Sequence, residues 1–115
     1  MADLNQAKLL SASSLENGRA IALTGSAQVV HVAVNNTTEW DVITLFVNHA
    51  GSGSHICEID WAGTLLTVTV GANQMIVALD RWRLNSGLEV KVRQASGSPP
   101  TDMRVYLTVD RYPAG

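Results

Sequence analysis

The residues with the most chemical potential in this sequence sit close together: His49, His55 and Cys57, with Glu58 and Asp60 just beyond. They straddle Gly51-Ser52-Gly53, a connection of hairpin length. A hairpin there would bring His49 opposite His55, with Cys57 on the His55 face. Zinc needs three or four such ligands, oriented by further hydrogen bonds. The spacing matches none of the usual zinc signatures, and Ile56 and Ile59 flank Cys57 in the pattern of a core residue. The three therefore read as surface imidazoles and a small apolar thiol, with no metal and no cofactor expected.

Other catalytic sets fare no better. Serine, histidine and aspartate all occur, but no G-x-S-x-G elbow is present, and Gly51-Ser52-Gly53-Ser54 is a flexible turn. Glu39, Asp41, Glu58, Asp60 and Asp80 offer carboxylates for glycoside chemistry, yet in a small β-domain such acids more often sit solvated at strand ends. A small lyase or hydrolase would need His31, His49 and His55 in one cavity. No glycine-rich loop leads into a helix to hold phosphate. The expectation is a protein without catalytic residues.

The aromatic set is the remaining lead. Trp40, Trp61 and Trp82, with Tyr106 and Tyr112, could form a flat platform for a glycan, in a carbohydrate- or receptor-binding module. Alternatively each tryptophan closes one end of the core or sits in a subunit contact. Each has charged neighbours (Glu39 and Asp41, Asp60, Arg81 and Arg83), which suits a partly wet rim. The three lie 21 residues apart, but little else aligns around them, so the spacing is taken as coincidence rather than as an internal repeat.

The totals narrow the class. A chain of 115 residues with 46% hydrophobic and 16% charged content is a single globular domain. So neutral a skin favours association, hence a homo-oligomer. A formal charge of −2 argues against nucleic acid. The nearest basic stripe, Arg81, Arg83, Lys91 and Arg93, is diluted by Asp80 and Glu89. With Cys57 the only cysteine, no intrachain disulfide is expected. The opening MADLNQAKLL lacks the pattern of a secretory signal, and no apolar run approaches the ~20 residues that span a bilayer. Synthesis in a cytoplasm and no membrane partner are expected.

The elements that must position these residues are short strands. Residues 1–15 read as an arm or first edge strand, residues 16–112 as one domain, and residues 113–115 as a tail. Strands are expected over 19–24, 28–34, 42–48, 54–61 and 64–70. They continue over 74–79, then, after a corner at 80–87, over 88–95, and last over 103–110. In the strand of residues 28–34, Val30, Val32 and Val34 share one face, with His31 on the other. Leu88, Val90 and Val92 alternate with Glu89, Lys91 and Arg93, and Met103, Val105, Leu107 and Val109 alternate with Arg104, Tyr106 and Thr108. Eight or nine short strands at regular spacing make an all-β, antiparallel β-sandwich or jelly roll.

The order of these elements resembles that of small structural proteins of tailed bacteriophages. The likeness lies in Asn35-Asn36-Thr37-Thr38 leading into Ile43-Thr44-Leu45-Phe46-Val47-Asn48. It continues in Gly71-Ala72-Asn73 before an apolar strand, then Trp82-Arg83-Leu84 and Ser86-Gly87 before another. It spans roughly residues 9–109 and is one of cadence; Leu88 stands where that family usually has an acid. What the resemblance implies is a virion component made in the host cytoplasm. It would be a head decoration (cement) protein, or a neck or fibre adaptor, acting as a homo-oligomer, a trimer for preference. Its partners would be capsid, tail or neck subunits. Its working surface would be the arm with Leu4, Leu9 and Leu10, the loop with Asn36 and Trp40, and the exposed Trp61, Arg81, Trp82 and Tyr106.

Overall fold

The computed structural model describes residues 8–10, 21–95 and 101–113. They form nine strands: β1 (Lys8–Leu10), β2 (Ile21–Ala22), β3 (Gln28–Val32), β4 (Glu39–His49), β5 (His55–Trp61), β6 (Thr64–Val70), β7 (Gln74–Leu84), β8 (Glu89–Gln94) and β9 (Met103–Pro113). One sheet, here A, runs β1-β9-β4-β7, with β2 also on β9; the other, B, runs β3-β8-β5-β6. All pairs are antiparallel. The chain passes back and forth between the layers, and that interleaving is the jelly-roll form of the β-sandwich.

The period-two side-chain pattern of β4 fixes the core. Asp41, Ile43, Leu45, Val47 and His49 point between the sheets and are buried. β9 matches β4 in unbroken register from Glu39↔Pro113 to His49↔Met103, so Met103, Val105, Leu107 and Val109 join the same interior. From sheet B, Val30, Cys57, Ile59, Val70, Val90 and Val92 complete it. Leu66 and Val68 face in from β6, as the alternation predicts, but are only half-buried because β6 is an edge strand.

Four local expectations change. The Gly51–Gly53 connection is not a hairpin: it carries the chain from β4 in sheet A to β5 in sheet B. Residue 80 does not begin a corner, since β7 runs on to Leu84 by absorbing two bulges opposite Thr44 and Leu45. In β3 a bulge at Val30 turns Val30 and His31 both inward and leaves Val32 exposed. Leu88 precedes β8 and is exposed, so it does not share the inner face of Val90 and Val92.

Asp41, expected at a solvated strand end, is completely buried. Its Oδ2 accepts hydrogen bonds from His31 Nε2 at 2.8 Å and from the Val34 N–H at 3.0 Å; its Oδ1 accepts Arg111 Nε at 2.7 Å. Because a carboxylate only accepts, His31 carries its proton on Nε2. Burial opposes the charge on Asp41, but the bonds from Arg111, His31 and Val34 outweigh it and hold the carboxyl below its usual range. The carboxylate thereby ties β3 in sheet B to β4 and β9 in sheet A.

A carboxyl whose folded pKa is depressed stabilises the fold above its unfolded value, about 3.9 for aspartate. That stability is lost as pH falls through the lower folded value. Acid titration followed by circular dichroism should therefore show unfolding that begins below about pH 4. Asp41→Asn should lower stability at pH 7 by about 2–4 kcal/mol, by leaving Arg111 without its counter-charge, and should flatten that acid limb.

Candidate functional site

Each end of β5 makes an aromatic contact across the sandwich. At its start, the His55 ring meets the His49 ring edge-on, with centroids 5.0 Å apart. At its end, Trp61 meets Trp82 of β7, with centroids 5.2 Å apart and planes at 80°. Trp82 pairs in register with the inward-facing Ile43 and reaches across to Trp61, yet it stays exposed, while Trp61 is half-buried. The two rings share no plane. Trp40 lies apart, half-buried at the start of β4 and opposite Tyr112.

His49 is buried, not a surface imidazole. Its Nδ1 lies 3.0 Å from the Gly71 carbonyl and so donates to it. In the uncharged ring Nε2 then accepts from the Thr101 hydroxyl, 2.8 Å away. Hydroxyl, imidazole and orienting carbonyl stand in the order used by activated nucleophiles. Here Gly51 covers them: a Cβ built on it would lie 2.2 Å from Thr101 Oγ1 and 2.9 Å from His49 Nε2. Two shallow depressions of the surface lie elsewhere, one around Asp60, Gly87 and Lys91 and one around Glu58, Leu65 and Arg93. Gln94, also buried, donates to the Leu23 and Thr101 carbonyls and accepts from the Thr101 N–H. The cluster is thus a polar latch that fastens the ends of β4 and β6 and the start of β9.

The proposed metal and lyase constellations are not assembled. Cys57 lies in the core, and burial with the neighbouring Glu58 charge pushes its thiol up to about 12. His31 bonds Asp41, eight residues from His49 along one strand, or roughly 26 Å. Among the described residues no three His, Cys, Asp or Glu side chains are grouped closely enough to hold a metal ion.

The expected interface residues separate into several places. Leu4 lies outside the described residues; Leu9 and Leu10 belong to β1, paired with Asp110 and Val109 on β9. Asn36 is occupied in its own loop, its Oδ1 accepting the Thr38 and Glu39 N–H groups. Arg81 adopts a left-handed φ of 59° and donates to the Tyr112 hydroxyl at 3.1 Å. Tyr106 stands on the outer face of sheet A beside Phe46, which is paired in turn with Val77. Val77 and Met75 are 51% and 61% exposed. Sequence analysis singled out Tyr106 but not Met75 or Val77, because the unbroken apolar run Met75-Ile76-Val77-Ala78-Leu79 has no alternation to mark an exposed face.

The latch gives a direct test. Thr101→Val leaves a buried imidazole nitrogen unpaired and should cost about 1–3 kcal/mol, seen as a Tm lower by several degrees. Gly51→Ala should act in the same direction by displacing the Thr101 hydroxyl, while Thr101→Ser should retain most of the stability.

No family model matches the chain, and no curated protein is similar to it in sequence. Among solved structures, a chain from Bacillus endospore appendages, described as forming a novel family of disulfide-linked pili, matches 97% of this chain and 94% of its own length. The TM-score is 0.52 at 12% identity, a likeness that shows the fold.

Proposed function

We propose that this chain is a non-enzymatic structural subunit that works by docking on copies of itself and on neighbouring subunits of a larger assembly. The contrast between its two outer faces carries the reading. On sheet A, Val77, Phe46 and Tyr106 form an in-register apolar row with Met75 beside it. Asn48 and Arg104 edge that row on one side, and Arg83 and Asp110 lie beyond Thr44 and Thr108 on the other. An apolar centre with a polar rim is the anatomy of a contact surface. Sheet B instead carries charge across its outer face, with Glu58 paired to Arg93, Lys91 3.8 Å from Glu89, and Asp60 between.

The setting is the one the phage resemblance implies: a virion, with this chain as decoration or cement protein, or as neck or fibre adaptor, in a homo-oligomer. The fold it shares with an appendage subunit suits a building block in the same coarse sense. That neighbour's pili are described as disulfide-linked. Here the only cysteine is buried with a raised pKa, so contacts between copies are non-covalent. A glycan- or receptor-binding module using the tryptophans is the competing reading; the perpendicular Trp61–Trp82 pair, whose rings share no plane, favours packing over a flat platform.

Sedimentation at tens of micromolar should show species heavier than the monomer, and Val77→Lys should shift them to lower mass without loss of fold. A monodisperse wild-type monomer would overturn the reading. Cys57 should stay unreactive towards thiol reagents in the native protein and titrate fully in denaturant.

A further inference from the structure

A sandwich of two open sheets has exposed edges, and edges invite pairing with other chains. Most of them here are blunted. β7 has two bulges, a left-handed Arg81 and the charges Asp80, Arg81 and Arg83. β3 is broken by its bulge at Val30. β6 differs in every respect: seven residues, Thr-Leu-Leu-Thr-Val-Thr-Val, without charge, proline or register shift. Among the described residues it pairs with β5 alone.

The turn before β6 dictates which of its groups face outward. Ala62 and Gly63, at φ of 49° and 96°, make a two-residue hairpin loop flanked by the pair Trp61↔Thr64. In such a hairpin the flanking pair is hydrogen-bonded, and bonded and non-bonded pairs then alternate. Thr64, Leu66, Val68 and Val70 therefore spend their backbone groups on β5. Leu65, Thr67 and Thr69 aim theirs at the open edge.

We propose that β6 pairs with the β6 of a second copy, antiparallel, about a two-fold axis through Thr67. The proposal deepens the structural-subunit reading and rests on it. In this register Leu65 lies opposite Thr69 of the second copy and Thr67 opposite Thr67, so the residues with free backbone groups meet each other, giving roughly six hydrogen bonds. Leu66 lies opposite Val68, so inward faces join inward faces and the half-exposed aliphatic side chains of the edge become covered. A neutral strand meets its own copy without like charges in opposition. The two four-stranded sheets become one sheet of eight, closing the edge that the fold leaves open.

The full-length chain tests this by sedimentation equilibrium with circular dichroism as the fold control. Thr67→Lys, which sets two ammonium groups face to face on an exposed position, should raise the dimer dissociation constant about tenfold or more. Thr67→Cys should form a covalent dimer on mild oxidation, because the opposed Cα atoms would stand about 5.5 Å apart. Thr69→Cys, whose mate is Leu65, should not. If Thr67→Lys leaves the mass of the assembly unchanged, the edge is unused and the proposal falls, while the subunit reading stands on the face of sheet A. If Thr67→Lys dissociates the protein but Thr67→Cys fails to cross-link, the two-fold register is wrong. A wild-type monomer would remove both.

Discussion

β4 is hydrogen-bonded on both flanks over nearly its whole length, and everything else in the molecule is placed by which of its side chains point inward. Its eleven residues put Asp41 at one end of the interior and His49 at the other, with an aliphatic ladder between. A one-residue slip would send both polar groups to solvent and bring Phe46 and Thr44 inside. Register is held by chemistry at both ends: the carboxylate of Asp41 needs Arg111 and His31, and the ring of His49 needs Gly71 and Thr101. Buried polar groups left without those partners would be far costlier than any packing they could gain elsewhere.

The interior thus spends its polar chemistry on holding the layers together, and what remains for partners lies outside. The two surfaces proposed for contact, the outer row on sheet A and the unbulged β6 edge, belong to different sheets and would engage differently, one through side chains and one through the backbone. A particle surface or a filament needs subunits with more than one contact, since a single isologous interface closes at a dimer. The pair of Thr101 hydroxyl and His49 imidazole, by contrast, has the right order of atoms for catalysis, but Gly51 lies against it and both groups are spent on the latch.

Much of the framework was legible in the amino-acid order. β6 and β9 follow their alternation residue for residue, and the two-layer class followed from the number and spacing of strands. The misses share a cause. The bulges at Val30 and in β7 each insert one residue into a two-residue period, and nothing in the side chains of Val29-Val30-His31 or Asp80-Arg81 marks the place. Asp41 and His49 looked like surface groups because their partners, Arg111 and Thr101, are 70 and 52 residues away and no local spacing reports them. The continuous run at residues 75–79 was the visible trace of the apolar outer face, since an edge strand that is apolar on both sides has one side left for something else to cover.

The β5–β6 hairpin has a further consequence for how the molecule comes to be. Its strands are separated by two residues, whereas β3 finds β8 only after 56 residues have intervened and β4 finds β9 only after 53. Local hairpins form in about 1–10 µs, while such distant pairings dominate the slow folding of β-sandwiches. During synthesis the hairpin is out before β8 and β9 exist, carrying an uncharged free rim with no gatekeeper residue. Under the edge pairing proposed above, crowded nascent chains would meet at that rim ahead of their own maturation, so that yield from concentrated refolding, or from strong overexpression, would turn on these seven residues.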